Sequence, residues 1–260
     1  MQDTALVNYH IRSAAPQAFR FDVDGVVGKL ESPELAPTRV PVRDLRGSTI
    51  CLDFDRDGIT FERHETRTSG IGRSSGWEDA YNEELRALLT DRIGASDVIV
   101  FDHTVRVDDA DAARKPARNV HNDYSATGAN QRLVDLLGRE RASEFEDGHY
   151  GFVNVWRPIE HPIESSPLGF IHPQSVKPED WITIELIYPE RIGQILGVVA
   201  SADHDWFYLS QMTPNDVAVF NIFDNRGRPF LGHSALDMEN TTASSAPRKS
   251  IESRTLVRYG

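Results

Sequence analysis

HYGFVNVWRPIEHPIESSPLGFIHPQSVKPEDWITIELIY (residues 149–188) opens the part of the chain that decides the fold. From residue 149 onward, short segments rich in β-branched and aromatic residues alternate with turns, which is the pattern of successive β-strands. The later segments are ILGVVA (195–200), WFYLSQ (206–211), DVAVFNIF (216–223), FLGHSALD (230–237) and SIESRTLVRY (250–259). Many short strands at this spacing indicate a β sandwich, a jelly roll or a barrel.

Two predicted helices precede or flank these strands. Residues 77–93 carry apolar side chains at helical spacing and end before Gly94, and residues 128–137 form a shorter helix closed by Gly138. Between them, residues 97–107 are rich in β-branched residues and predict another strand. The fold class is therefore mainly β with flanking helices.

The N-terminal third is less regular. Prolines interrupt any periodicity in residues 1–47, so we expect strands and irregular structure that wrap the main body. The apolar run 48–54 predicts a strand with Cys51 buried, and residues 59–61 predict its hairpin partner. Residues 66–76 are polar and rich in glycine, and they suit either a mobile surface loop or a lid over an active site.

The composition restricts the class of protein. The chain has 260 residues, 39% of them hydrophobic, with a formal net charge of -12. We expect a single domain over residues 1–260, with about 1–76 as N-terminal wrapping segments and about 97–260 as the core. The acidic balance argues against a nucleic-acid partner. One cysteine excludes an internal disulfide, and no apolar run reaches membrane-spanning length, so we expect a cytoplasmic protein with no membrane partner.

A candidate metal site begins at His121-Asn122-Asp123-Tyr124-Ser125. In an extended strand His121 and Asp123 share a face, so an imidazole and a carboxylate lie side by side. A second histidine would complete the two-histidine, one-carboxylate triad of non-haem Fe(II) oxygenases. His233, on a late strand, and His204 are the two candidates for this third ligand. Three further histidines lie near turns or prolines and are poorer choices, namely His149, His161 and His172.

A polar strand face near the C-terminus is the second chemical signal. Arg248, Ser250, Glu252 and Arg254 alternate along one predicted strand and therefore share a side. That side is either solvated or lines a polar cavity. In a cavity, an arginine fork would bind a carboxylate in bidentate fashion, which suits a dicarboxylate such as 2-oxoglutarate.

The order of these motifs, H-x-D, a late histidine and then R-x-S, resembles the Fe(II)/2-oxoglutarate-dependent oxygenases. A set of segments from about residue 78 onward is similar to the CmcJ/NvfI/AsaB-like hydroxylase/desaturase family. Those segments are FDHTVR (101–106), HNDYS (121–125), NVWRPI (154–159), PL (167–168), HDWFY (204–208), MTP (212–214), HSAL (233–236) and SIESR (250–254). The resemblance implies a double-stranded β-helix (a jelly roll of the cupin type). It also implies oxidation of a small specialised metabolite by hydroxylation, desaturation or ring formation.

The resemblance also implies roles for the motif residues. His121, Asp123 and His233 would hold Fe(II), and 2-oxoglutarate and O2 would be co-substrates, with succinate and CO2 as co-products. The spacing of Arg248 and Arg254 resembles an R-x5-R pattern in which both arginines contact 2-oxoglutarate, and Ser250 and Asn154 are further candidates for that contact. Which of the two arginines makes the main salt bridge stays open.

Three more residues are candidates for the active-site wall. Tyr124 follows Asp123 and suits either a substrate contact or a structural hydrogen bond. Trp156 shares a strand face with Asn154, and for this residue core packing competes with a cavity role. Arg106 suits either a substrate contact or a structural role.

Two other functions compete with the oxygenase. A cupin-like hydrolase or isomerase using Zn(II) or Mn(II) would keep the triad but would not need the arginine fork. An accessory or binding protein of a two-component tailoring system would need neither an open metal position nor 2-oxoglutarate. The sequence leaves the organic substrate and the oligomeric state undetermined.

Overall fold

The computed structural model describes residues 3–26, 29–73, 75–239 and 246–260. In chain order its strands are β1 (Asp3–His10), β2 (Gln17–Phe21), β3 (Leu30–Glu31), β4 (Leu35–Asp44), β5 (Ile59–Arg63), β6 (Ala95–Val107), β7 (His121–Asn122), β8 (His149–Pro158), β9 (Leu168–Ile171), β10 (Trp181–Ile187), β11 (Ile192–Val198), β12 (Trp206–Tyr208), β13 (Asp216–Asp224), β14 (His233–Ala235), β15 (Asp237–Met238) and β16 (Lys249–Tyr259). The α-helices are α1 (Phe54–Asp57), α2 (Glu78–Ile93) and α3 (Ala126–Asp147).

The strands form two sheets. The larger sheet has the order β15-β1-β4-β12-β9-β14-β7-β11-β10-β2-β3, and the smaller has the order β5-β13-β8-β16-β6. Phe170 of the larger sheet and Phe220 of the smaller meet with ring centroids 5.0 Å apart, so the two sheets face each other across an apolar interior. Alternation along each strand therefore decides which side chains reach this interior.

Helices close two sides of the molecule. Helix α2 packs on the outer face of the smaller sheet, where Tyr81, Leu85 and Leu89 meet the outward side chains of β8 and β13. Helix α3 contributes Leu133 and Phe145 to the interior between the sheets. The chain thus buries both faces of the smaller sheet, which explains the nearly continuous burial along β8 and β16.

The N-terminal strands are part of the larger sheet. β1 pairs with β4 and with β15, and β4 pairs in parallel with β12. Their apolar side chains form a separate cluster with Trp206 and Val198. The N-terminal segment therefore joins strands that lie far away in sequence.

The prediction of a mainly β protein with flanking helices is confirmed. The prediction of a strand over 48–54 is wrong, because residues 48–53 are irregular and Asp53 caps helix α1 by accepting a hydrogen bond from the Arg56 backbone. Cys51 is consequently exposed rather than buried. The strand that begins at residue 59 does exist, but it pairs with β13.

A further sequence prediction needs correction. Helix α3 continues through Gly138, which adopts a positive φ of 74° as an interior kink, and ends only at Asp147.

The sequence predicts either a surface loop or a lid for residues 66–76, of which residue 74 lies outside the described structure. The contacts of the described residues favour a surface loop. Thr66 and Thr68 bond to Glu84 on α2, and Ile71 packs on the outer face of the smaller sheet.

The start of α3 fixes the segment that carries Asp123. Ser125 is the N-cap and accepts a hydrogen bond from the Gly128 backbone at 3.0 Å. A Cβ at Gly128 would lie 2.4 Å from the carbonyl oxygen of Gln194 on β11. Only glycine allows the helix to approach this strand so closely.

Gly128→Ala is therefore expected to lower the free energy of unfolding by about 1–3 kcal/mol, because a backbone must move. The matched control is Gly193→Ala, since a Cβ at Gly193 meets only Leu186 at an ordinary 3.8 Å. This control should change stability by less than about 1 kcal/mol. Chemical denaturation of the two variants measures the difference, and equal losses would contradict the steric argument.

Candidate active site

The predicted metal ligands lie together in the interior between the sheets. His121 on β7 pairs directly with His233 on β14, and Asp123 follows β7 by one residue. The Oδ1 atom of Asp123 lies 3.4 Å from His121 Nε2 and 3.8 Å from His233 Nε2. One donor atom from each residue lies within 4.8 Å of the others. Two imidazoles and one carboxylate on one side form a facial donor set.

Both imidazoles are oriented by backbone carbonyls. His121 Nδ1 lies 2.8 Å from the Asn119 oxygen, and His233 Nδ1 lies 3.2 Å from the Leu231 oxygen. A carbonyl only accepts, so Nδ1 carries the proton in each ring and Nε2 presents a lone pair. This is the arrangement that metal-binding histidines use.

The carboxylate of Asp123 is held through its other oxygen. Its Oδ2 accepts hydrogen bonds from Arg254 Nε and Asn154 Nδ2, both at 3.0 Å. Oδ1 is left facing the two Nε2 atoms. The side chain is therefore set to act as a single-oxygen ligand.

The charge states of the triad also suit a metal. Burial alone would raise the pKa of Asp123, but Arg254 and the two histidines hold that pKa well below its usual value. Burial, followed by the neighbouring His121, lowers the pKa of His233 to about 3. At neutral pH the site thus offers an ionised carboxylate and a neutral His233, the forms that bind metal.

This lowered pKa predicts a pH effect on the metal-free protein. A histidine whose pKa is lower in the folded state binds fewer protons there, so stability falls as pH drops from about 6.5 toward about 3. His233→Gln removes this titration and should flatten the curve by up to about 1.4 kcal/mol per pH unit. Denaturation with urea at a series of pH values measures the slope, and parallel curves for the two proteins would contradict the assignment.

The polar face of β16 lines the interior, in register with its neighbours. Arg254 pairs with Asp102 on β6 and Asn154 on β8, and two residues along, Glu252 pairs with Trp156. Ser250, two residues further, pairs with Arg106 and Pro158. The solvated-face alternative is wrong, because Arg248, Ser250 and Glu252 are all buried.

Arg248 is a buried cation without an acid. Its guanidinium donates to the Ser166 carbonyl and to Ser250 Oγ at 3.3 Å, and it lies 5.1 Å from the centre of the Trp156 ring. Within the described ranges no carboxylate oxygen comes within 4.0 Å of it. Burial, together with Arg106, lowers the pKa of Arg248 to about 9. An unpaired buried charge is costly, so this pocket would suit an anion.

Arg254 differs from Arg248 in this respect. It contacts Asp123, donates from Nη1 to Asp102 at 2.7 Å and from Nη2 to Glu252 at 2.6 Å. Burial would lower the pKa of Arg254, but these carboxylates raise it well above its usual value. Arg254 is therefore saturated by the protein and orients Asp123.

The wall candidates occupy different positions. Trp156 is buried under Arg248, and Arg106 donates to the Lys115 carbonyl while its charge lies near Glu252 and Arg254. Tyr124 packs against Phe152 in a tilted arrangement, with ring centroids 4.9 Å apart, on the other side of Asn154 along β8. The wall candidates thus lie on two sides of Asp123, one toward Arg248 and the other toward Phe152.

The rival histidines lie elsewhere. His204 is bonded to the Tyr9 hydroxyl at 2.8 Å and lies 3.3 Å from Asp180, within the N-terminal cluster. His149 pairs with Asp224, and neither His161 nor His172 joins the triad among the described residues. His204 is therefore buried by its contacts in the N-terminal cluster and lies outside the triad.

Sequence reasoning missed two of the site's carboxylates. Asp102 binds Arg254, and Glu252, seen only as part of a polar face, binds it as well. A pattern that indicates Asp102 was present in the sequence, since Asp102, Thr104 and Arg106 alternate along the predicted strand and share a face. Nothing in the sequence could indicate that the Ser166 carbonyl accepts a hydrogen bond from Arg248, because every residue has a backbone carbonyl.

None of the helices in the described part of the chain combines the length and the apolar character needed to cross a bilayer.

Comparison with known proteins identifies relatives over nearly the whole chain. A family model described as "Oxidoreductase/YMDC permease-like domain" matches residues 7–258. The chain is 28% identical to the hydroxylase/desaturase efuI of Hormonema carpetanum over 276 aligned positions, covering 92% of each protein. It is 28% identical to the alpha-ketoglutarate-dependent dioxygenase phiK of Fungal sp. (strain ATCC 74256), covering 84% of this chain and 83% of phiK.

The solved structures give the same picture for the fold. A variant of the iron and alpha-ketoglutarate-dependent endoperoxidase NvfI superimposes with a TM-score of 0.90 at 22% identity, covering 100% of this chain and 98% of that one. The predicted resemblance to the CmcJ/NvfI/AsaB-like hydroxylase/desaturases is confirmed.

Proposed function

We propose that this chain, which belongs to the oxidoreductase/YMDC permease-like domain family, is a non-haem Fe(II)/2-oxoglutarate-dependent dioxygenase. It oxidises a small specialised metabolite by hydroxylation, desaturation or ring formation. The observation that carries the proposal is the pairing of a buried His121–Asp123–His233 donor set with an unpaired buried Arg248 in the same interior. The relatives named as alpha-ketoglutarate-dependent dioxygenases support it.

The residues fit Fe(II). Two imidazole Nε2 atoms and one carboxylate oxygen match the facial set that Fe(II) oxygenases use, and His121, Asp123 and His233 would hold Fe(II) while leaving room for co-substrates. When bound, Fe(II) with 2-oxoglutarate supplies the oxidising power for O2-dependent chemistry, with succinate and CO2 as co-products. Asn154 and Arg254 keep Oδ2 of Asp123 occupied, so that Oδ1 would be the oxygen that holds a metal.

Arg248 and Ser250 would bind the far carboxylate of 2-oxoglutarate. The guanidinium already contacts Ser250 Oγ and lies over the Trp156 ring, and these contacts position it before the ligand arrives. Arg106 adds positive charge from the neighbouring strand. The single charge of Arg248 matches one carboxylate of such a ligand, because Arg254 is neutralised by protein carboxylates whereas no carboxylate of the described residues pairs with Arg248.

The same observations favour a double-stranded β-helix as the fold, with residues 1–260 as one oxygenase domain and the N-terminal strands added to its larger sheet. A cupin-like hydrolase or isomerase would not need an unpaired cation near the metal. A pure binding protein would need no open metal positions. Cytoplasmic residence stays a prediction from the sequence.

Anaerobic addition of Fe(II) and then 2-oxoglutarate tests the proposal. A weak visible charge-transfer band of the chelate should appear. The band should be lost in His233→Ala and retained in His204→Ala, because only the first residue belongs to the triad. If the intact protein gives no band, the oxygenase assignment is overturned.

A further inference from the structure

An open cavity of about 480 Å³ lies at the end of the interior where α3 begins. Its walls are mainly aromatic and aliphatic, and they include Tyr124, Trp181, Leu196, Phe223 and Phe230. All five side chains are half-buried, so each keeps a surface free toward the cavity. Volume and lining both fall in the range of sites for small organic ligands.

Three wall residues are neighbours of the segments that carry the metal ligands. Tyr124 follows Asp123 in the chain, and Leu196 pairs with Asn122, the neighbour of His121. Phe230 precedes Leu231, whose carbonyl orients His233. Chain and strand register therefore connect the cavity walls to the triad, although the triad side chains are not among the wall residues.

The cavity lies on the opposite side of the triad from Arg248. Along β8, Trp156 under Arg248 lies two residues to one side of Asn154, and Phe152 lies two residues to the other. Tyr124 and Phe223 both contact the Phe152 ring, at 4.9 and 6.3 Å between centroids. 2-Oxoglutarate at Arg248 would leave this second space empty.

The charges at the cavity rim are already neutralised. Arg228 pairs with Asp55 at 2.7 Å and with Asp224 at 3.1 Å, and Arg56 pairs with Asp57 at 2.6 Å. No rim arginine resembles the unpaired Arg248. The rim therefore offers no free charge to recruit an ionised ligand.

We propose that this cavity binds the organic substrate and that the substrate is an uncharged, largely apolar ring compound held against aromatic walls. The inference rests on the proposed function, because it takes the triad to be the reacting centre. Tyr124 stands between the two, where it contacts the substrate nearest to the metal.

Two fluorescent probes with one skeleton test the preference for an uncharged ligand. N-phenyl-1-naphthylamine is neutral, and 1-anilinonaphthalene-8-sulfonate carries an added sulfonate. The neutral probe should bind at a single saturable site, about tenfold or more tighter than the anionic one, since no free cation offsets the desolvation of the sulfonate. Equal or tighter binding of the anionic probe overturns the inference.

Substitutions in and near the cavity test whether the neutral probe binds there. Leu196→Trp fills the cavity and should weaken binding of the neutral probe about tenfold or more. Ile192→Trp, on the same strand and the same side but 65% exposed, is the matched control and should leave binding unchanged. Ala126→Trp narrows the cavity from an exposed helix position, so it serves if Leu196→Trp does not fold. Binding that is insensitive to the filling variant that folds overturns the inference.

A metal comparison tests the position beside the triad and separates the two proposals. In protein loaded with paramagnetic Mn(II), the protons of the bound neutral probe should relax faster than in protein loaded with Zn(II). Equal relaxation at equal metal occupancy overturns the substrate site. Failure of the anaerobic Fe(II)/2-oxoglutarate titration would instead reject the proposed function, whatever the probe does.

Discussion

Asp123→Ala is expected to abolish succinate formation from 2-oxoglutarate, by at least about a thousandfold, and to lower the affinity for Fe(II). Asp123 is the one anionic donor of the triad, and its Oδ1 faces both histidine Nε2 atoms. Without it the site keeps two neutral ligands for a divalent cation. Turnover of 2-oxoglutarate without an organic substrate, measured as succinate, together with an Fe(II) titration, gives both quantities.

The fold should survive this change. Arg254 loses one of its three carboxylates but keeps Asp102 and Glu252, so this arginine is not left unpaired. Asp102→Ala is the matched control, because Asp102 also binds Arg254 but lies outside the donor set. It should lower turnover by no more than about 10–100-fold, as expected for a residue that acts through another. Full turnover in Asp123→Ala would contradict the assignment of the metal site.

Much of this site could be predicted from short-range pattern. Alternation along an extended strand is set by the backbone, so His121 with Asp123, and Arg248 with Ser250, could be paired from sequence alone. His233 could not be separated from His204 in this way. Only the pairing of β14 with β7 brings His233 to the triad, and that pairing joins residues more than a hundred positions apart.

The two arginines show the same limit. Arg254 lies on β16 and Arg248 directly precedes this strand, and in the sequence the two looked equivalent because they alternate in step. Their difference comes from residues distant in sequence, since Asp102 and Asp123 reach Arg254 and no carboxylate reaches Arg248 in the described structure.

The wrong prediction of a strand over residues 48–54 has the opposite origin. There a local cap, Asp53 on α1, overrides an apolar run that otherwise suits a strand.

Arg248→Met is expected to weaken binding of 2-oxoglutarate about a hundredfold or more while leaving Fe(II) binding unchanged. Removing the cation from a buried charge pair costs about 2–5 kcal/mol, and about 1.4 kcal/mol corresponds to a tenfold change in affinity. Met keeps the length of the side chain and its contact with the Trp156 ring. The anaerobic titration of the visible chelate band measures the dissociation constant.

The stability of the ligand-free protein provides a second test of the role of Arg248. Arg248 is buried without an acid, so Arg248→Met should leave the free energy of unfolding unchanged or raise it. Arg254→Met is the matched control, and it should lower that free energy by about 3–5 kcal/mol because it leaves Asp123, Asp102 and Glu252 without their cation. Loss of 2-oxoglutarate binding together with retained stability is the signature of a residue kept for its ligand. If Arg248→Met binds 2-oxoglutarate normally, or if it unfolds as readily as Arg254→Met, Arg248 is a structural residue and the anion pocket lies elsewhere.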